Sequence, residues 1–336
     1  MKKLNLSSGK LVLVLALISV TALQGFFLIR SISVSDHEYQ KAFKDNYHVL
    51  AKQLPDKADF AGEEVPMNLY FVSEGLDREI LVNTYWQSST LLLLKKTNRY
   101  FPQIEPILEK YNIPNDFKYV PLIESGLANV TSPAKAAGFW QLLAGTAKMY
   151  GLEVTDEVDE RFNVKKSTEA ACKYILNSYN DYGSWTMAAA AYNAGDGRMK
   201  GEMQKQGTTD FYNLHLNSET SRYIFRILAM KLIYEDPNSY GFSLRNKDLY
   251  PVIPTYEVTV DTSIRDLVSF AKYYGVSYKI LKAMNPWLMK DKLTNTARKP
   301  YIFTFPAKGY DNYQVLQGSI DQPFGIFNEK DSIEKQ

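Results

Sequence analysis

The chain has one cysteine, Cys172, in 336 residues. No intrachain disulfide can form, and a fold stapled by disulfides is excluded. Cys172 falls on a predicted helix beside Ala171 and Ile175 and reads as a small buried hydrophobe. Histidine is nearly as scarce. His37, His48 and His215 are scattered and show no metal-ligand spacing, so no metal or other cofactor is expected. Excess charge is missing too: 39 Lys and Arg face 37 Asp and Glu, a net charge of +2. Nucleic acid is therefore not an expected partner, because such binding needs a concentrated basic patch. No sequence repeat is evident, which leaves a repeat architecture without support.

What is present is ordinary for a globular protein of two or three domains: 45% apolar and 23% charged residues. The 24 tyrosines suit stacking on sugar rings and suit a tyrosine-rich core equally well. At the N-terminus, Lys2, Lys3 and Lys10 precede an apolar run from Leu11 to Ile29, the layout of an export signal. Residues 1–30 are expected to be a signal peptide or a signal anchor. Leu11 to Ile18 would be its apolar core and Val20-Thr21-Ala22 its cleavage site. The stretch 11–29 is also long enough to span a bilayer and anchor the protein in a membrane. No cysteine lies directly after it, so a lipoprotein is not expected. The body is expected outside the cytoplasm, in a periplasm or cell envelope.

Residues 31–69 are polar and mixed and read as a linker or stalk. Helical spacing then runs from Glu74 to Tyr111, with Pro102 and Pro106 expected to break it. Asn115 or Asp116 can cap the helix carrying Tyr119, Leu122 and Ile123, and Pro121 should kink or end it. Gly145-Thr146 opens a short helix that stops at Gly151. Asn163 caps a longer one that ends at Gly183. Trp185 to Tyr192 holds four consecutive alanines, which suits a central, closely packed helix, and Ser221 to Tyr234 is a further amphipathic helix. Beyond Pro251 and Pro254 the character changes. Tyr256–Val260 alternates like a strand, two short helices meet at Gly275, and Tyr301–Phe305 closes a strand–helix–helix–strand unit. Residues 309–336 read as a flexible tail. The fold class expected is mainly α, with a helical body over 70–245 and a small βααβ domain over 250–308.

Glu124 stands at the end of the apolar run Val120-Pro121-Leu122-Ile123. Burial there would raise its pKa and let it serve as a general acid. A lone glutamate at such a place reads more often as a solvated helix end. Three further segments change that balance: Ser132-Pro133-Ala134-Lys135-Ala136-Ala137-Gly138-Phe139-Trp140-Gln141, Ala191-Tyr192-Asn193-Ala194-Gly195, and Glu219-Thr220-Ser221-Arg222-Tyr223. Their order and spacing after Glu124-Ser125 resemble the lysozyme-like (SLT) membrane-bound lytic murein transglycosylase D family. Tyr150-Gly151-Leu152, Asp159-Glu160-Arg161 and Ser167-Thr168-Glu169-Ala170-Ala171 extend the match over residues 100–235, with core motifs at 110–235.

The resemblance implies a goose-type, all-helical lysozyme-like domain. It also implies cleavage of the bond between N-acetylmuramic acid and N-acetylglucosamine in peptidoglycan, without water, leaving 1,6-anhydro ends. Glu124 would be the single catalytic residue, acid and then base. Ordinary glycoside hydrolysis uses two carboxylates. Asp159, Glu160 and Glu169 are near in sequence but read as ion-pair partners of Arg161 or lysines. By motif match, Ser125 would orient Glu124, Gly138 would leave room for a sugar, and Gln141 would reach an acetamido group or the backbone around the cleft. Tyr192 and Asn193 would project into the cleft, and Tyr223 would place its hydroxyl near the acid. Without the resemblance, Tyr192 and Tyr223 read as core aromatics and Asn193 as a helix C-cap. Phe139, Leu142-Leu143-Ala144 and Asp196 depart from the family pattern without removing a catalytic group.

Residues 256–306 are similar to a LysM module, the small peptidoglycan-binding fold, through Tyr256-Glu257-Val258, Asp261-Thr262, Tyr274-Gly275-Val276-Ser277, Leu281 and Asn285-Pro286-Trp287-Leu288. The usual Gly-Asp-Thr-Leu turn is replaced by Val260-Asp261-Thr262-Ser263-Ile264, and a structural appendage is the competing reading. Implied partners are peptidoglycan glycan strands and, as a candidate, the cell-wall synthesis machinery. Two other readings keep the fold: a hydrolytic muramidase and a non-catalytic wall-binding protein.

Overall fold

The computed structural model describes Lys41, Lys44 and residues 49–318. The expected signal or anchor at 1–30 and the tail beyond 318 lie outside the described residues. Among those described, no helix is long and apolar enough to cross a membrane. The described residues are mainly α, with eleven helices and two small antiparallel sheets among them. In chain order these are β1 (Ala58–Phe60), β2 (Glu63–Val65), α1 (Tyr70–Tyr85), α2 (Gln87–Lys110), α3 (Tyr119–Ser125), α4 (Ala144–Met149), α5 (Val164–Tyr182), α6 (Trp185–Ala194), α7 (Asp196–Gln206), α8 (Ser218–Glu235), β3 (Thr255–Val260), α9 (Leu267–Tyr273), α10 (Tyr278–Met284), β4 (Tyr301–Pro306) and α11 (Tyr313–Gly318).

The alanine-rich α6 is the centre of the helical body. Ala188 to Ala191 are wholly buried, and their small side chains let α5 and α8 pack closely against it. Ser184 caps its first turn by accepting from the Met187 N–H. Asn163 caps α5 in the same way, and Gly183, at φ 67°, ends it. Helix α8 in turn packs on α1 and α3. Part of its hold on α1 is ionic: Arg222 Nε donates to the buried carboxylate of Glu79 at 2.7 Å.

Residues 58–65 are not linker. They form a β-hairpin turned by Ala61 and Gly62, both at positive φ, and Phe60 and Val65 enter the main core. Polar residues nearby fasten it. Lys231 Nζ donates to Asp116 at 2.8 Å and to Asp59 at 3.2 Å. The Asp116 carboxylate also accepts from the Ala61 N–H, so Asp116 ties the hairpin down rather than capping a helix. Glu63 closes the N-terminus of α6, accepting from the N–H groups of Trp185 and Thr186 at 2.6 and 2.9 Å and from the hydroxyls of Ser184 and Thr186. An anion suits the positive end of a helix. Glu63→Ala is expected to lower stability by about 1.5–3 kcal/mol, the range for hydrogen bonds to a charged group, read from the urea midpoint.

Three prolines behave differently from the sequence expectation. Pro102 and Pro106 lie inside α2, whose Phe101, Ile104 and Leu108 are buried, and this packing outweighs the lost backbone bonds. The break falls at Trp86 instead. Pro121 sits in the first turn of α3, where its missing N–H costs nothing. It is Gly126, at φ 62°, that ends the helix just after Glu124-Ser125.

The C-terminal unit pairs β3 with β4 in register from Thr255↔Pro306 to Val260↔Tyr301. Its core gathers Leu267, Leu281, Trp287, Phe303 and Phe305. Asn285 is fully buried. Its amide accepts from the Thr304 N–H at 2.7 Å and donates to the Thr304 carbonyl at 2.8 Å, fixing β4 to the end of α10.

Candidate active site

Glu124 lies in the last turn of α3, half-buried, and the hydroxyl of Tyr223 on α8 donates to its Oε1 at 2.7 Å. Burial is the main influence on the carboxyl and raises its pKa. The Tyr223 bond and the charge of Arg226 pull it back, and the charge of Glu219 raises it further. Arg226, one turn along α8 from Tyr223, donates to the Ile123 carbonyl at 2.8 Å, so α8 holds the α3 backbone as well as its acid. Burial drives the phenol of Tyr223 well above the ordinary range. It therefore stays protonated and donates.

Tyr192 and Asn193 stand at the C-terminal end of α6. The Tyr192 hydroxyl donates to the Trp140 carbonyl at 2.5 Å, and its own titration is pushed up by burial and by the nearby Glu124 charge. Asn193 Oδ1 accepts from the Thr220 hydroxyl at 3.0 Å. Both side chains thus tie α6 to neighbouring segments beside Glu124.

Ser125 hydrogen-bonds beside Glu124, and Gly138 lies close against neighbouring backbone. The Ser125 hydroxyl lies 2.8 Å from the Phe139 carbonyl and 3.0 Å from that of Pro121, turning to the backbone rather than to the Glu124 carboxylate. It pins the end of α3 to the 135–142 loop. Gly138, at φ 78°, lets the backbones approach: a Cβ there would lie 1.9 Å from the Arg161 carbonyl oxygen. Gln141 Nε2 donates to the carbonyls of Gly138 at 2.8 Å and Val130 at 3.1 Å.

The other carboxylates of the motifs are engaged elsewhere. Asp159 pairs with Arg161 at 2.7 Å and Glu169 with Lys110 at 2.9 Å. Glu160 pairs with Lys166. The exposed Glu219, in the first turn of α8, is the one whose charge reaches Glu124. Among the described residues no group of three or more His, Cys, Asp or Glu is placed to hold a metal ion. Cys172 is fully buried, with its thiol pushed up to about 12 by burial. A cavity of about 530 Å³ lined by Glu63, Ser184, Thr186, Asp210 and Tyr212 sits at the opposite end of α6 from Tyr192 and is separate from this site.

Sequence reasoning missed Arg226 and the reach of Arg161. Arg226 follows Tyr223 by three residues, so helical spacing alone would put both on one face. Arg161 donates to the carbonyls of Lys135 and Leu142, contacts that leave no mark in local sequence.

This arrangement offers one protonatable carboxyl in a largely shielded place, with a fixed donor beside it and rigid backbone around it. The sequence is similar to those of known proteins. Residues 103–215 match the Transglycosylase SLT domain family, and residues 256–309 match the soluble lytic transglycosylase C-terminal LysM-like domain. Proteins named membrane-bound lytic murein transglycosylase D, from Escherichia coli K12 and from Escherichia coli O6:H1, are each 30% identical over 236 residues. That alignment covers 67% of this chain and 50% of each relative, so the chain spans about half the length of the curated relatives it matches. The chain therefore carries a lysozyme-like transglycosylase SLT domain followed by a LysM-like domain and is homologous to membrane-bound lytic murein transglycosylase D.

Proposed function

We propose that this protein cleaves the β-1,4 bond from N-acetylmuramic acid to N-acetylglucosamine in peptidoglycan by a non-hydrolytic route, with Glu124 as the only catalytic carboxyl. The observation that carries this reading is the half-buried Glu124, its pKa raised by burial, held by Tyr223 while Asp159, Glu160 and Glu169 are committed to ion pairs. Protonated Glu124 gives its proton to the leaving glycosidic oxygen. The muramic 2-acetamido group stabilises the oxocarbenium-like centre. Glu124, now a carboxylate, takes the proton of the C6 hydroxyl as that oxygen bonds to C1. No water is consumed, and attack from within the same sugar carries the advantage of high effective molarity.

Tyr223 sets the balance of this proton transfer. Its donation favours the carboxylate, so it holds Glu124 in place and keeps it from being too weak an acid. The acid step needs protonated Glu124, so the rate falls as pH rises through its pKa. Tyr223→Phe removes the donor and raises that pKa further. The alkaline limb of the kcat profile is therefore expected to move to higher pH, while the looser carboxyl lowers the maximum by about tenfold. A profile on soluble glycan fragments checks both.

Residues 70–245 would be the catalytic body and 250–308 a wall-binding module, acting on glycan strands in the cell envelope. The apolar run 11–29 supports export, with attachment to a membrane where the segment is retained. Association with the cell-wall synthesis machinery would place the cut beside new strand insertion. The reading is tested by digesting purified peptidoglycan and reducing the products with borohydride. Ends that resist reduction are expected; reducible muramic ends would replace this reading with hydrolysis, and no release would leave a binding protein.

A further inference from the structure

The segment 152–162 is not used in the chemistry, yet it is where the helical body meets the LysM-like domain. Val158 is buried in the core of that domain and pairs with Leu288. On either side of it, the Met289 N–H donates to the Glu157 carbonyl at 2.8 Å and the Asp159 N–H to the Trp287 carbonyl at 2.9 Å. The Glu157 carboxylate accepts from the Thr294 N–H at 2.7 Å. Glu153 takes Lys299 Nζ at 2.5 Å and the Tyr301 hydroxyl at 3.0 Å. One short body segment thus supplies a core side chain, backbone pairing and two carboxylates to the module.

The same segment reaches the site in the other direction. Asp159 clamps Arg161 through Nη2 at 2.7 Å and Nε at 2.9 Å. Arg161 Nη1 then donates to the carbonyls of Lys135 at 2.9 Å and Leu142 at 3.1 Å, and its own carbonyl fills the space left by Gly138. The loop so held carries the Phe139 carbonyl that faces Ser125 and the Trp140 carbonyl that takes Tyr192. A planar guanidinium can serve a carboxylate and two carbonyls together, which a lysine ammonium cannot do in this geometry.

We propose that Arg161 is a positioning residue for the 135–142 loop, and that the docked LysM-like domain, through Val158 and Asp159, is part of the same fixture and supports turnover as well as attachment to the wall. This rests on reading Glu124 as the acid. It has a consequence that simple tethering lacks: a loosened loop admits water to Glu124, weakens the burial that raises its pKa and moves the alkaline limb to lower pH.

The test uses the full chain and short soluble glycan oligomers, too short to engage cleft and module at once. Arg161→Lys is expected to lower kcat about tenfold, with KM little changed and the alkaline limb at lower pH. Glu157→Ala, which loosens the module from outside the site, is expected to act in the same direction more weakly. Where Arg161→Lys does not fold, Glu157→Ala decides. Wild-type kcat and an unmoved pH profile in a folded variant, or an effect confined to intact wall, would overturn the proposal. Should the unaltered protein release no anhydro ends, the reading of Glu124 fails separately. The link itself is then read by amide exchange across 135–142: faster exchange in Glu157→Ala supports it and unchanged exchange overturns it.

Discussion

Glu124→Gln is expected to fold as the parent does and to lose at least about a hundredfold in kcat, the low end for a general acid. That is about 2.7 kcal/mol of transition-state stabilisation. The substitution is nearly isosteric, and the amide oxygen can still accept from the Tyr223 hydroxyl that now lies 2.7 Å away, so the α3–α8 contact survives. What disappears is the proton for the leaving oxygen and the base for the C6 hydroxyl, both supplied by one group under the proposed mechanism. Glu219→Gln is the informative control. Glu219 is exposed and acts on Glu124 through its charge, so its loss should leave most of the rate. Release of soluble fragments from purified peptidoglycan, with thermal midpoints for each variant, separates chemistry from folding. Near-normal turnover in Glu124→Gln would end its assignment, and a collapse in Glu219→Gln would point to a two-carboxylate mechanism.

Gly138→Ala is expected to be the most damaging single-methyl change near the site. The added Cβ would stand 1.9 Å from the Arg161 carbonyl oxygen, so backbone has to move. The left-handed conformation at φ 78° adds roughly 1–2 kcal/mol for a residue with a Cβ, and overpacking about 1–3 kcal/mol. A loss of about 2–5 kcal/mol from both sources is expected in the urea unfolding midpoint. Activity should fall even where the protein folds, because the displaced loop carries the Trp140 carbonyl bonded to Tyr192. Wild-type stability and rate in this variant would show that the approach of residues 138 and 161 is not a constraint.

Elements with local signals were legible in the sequence. Helix α5 is bracketed by Asn163 and Gly183, and α6 declares itself by four alanines and Gly195. The β1–β2 hairpin was not legible: its strands have three residues each, and their mixed polarity matches a linker. What orders it is distant, Phe60 against Phe117 and Glu63 on the end of α6. Prolines misled for the same reason, since the burial of α2 is set by partners far along the chain.

The site divides along similar lines. Glu124 and Tyr223 are 99 residues apart, and in the sequence only the order of motifs links them. Ser125, Gly138, Gln141 and Arg161 were visible as residues but not in their contacts. Their partners are backbone carbonyls of Phe139, Arg161, Val130 and Lys135, and a carbonyl carries no residue signature.

The central claim is that the muramic C6 oxygen, and not water, bonds to C1 when Glu124 acts. Digestion of purified peptidoglycan in heavy-oxygen water, followed by mass spectrometry of the ends, addresses it directly. The expected products are lighter by one water than hydrolytic ones, carry no heavy oxygen at C1, and are missing from a Glu124→Gln digest. Heavy oxygen at the muramic C1 would contradict the account, because it would mean that water had made the attack.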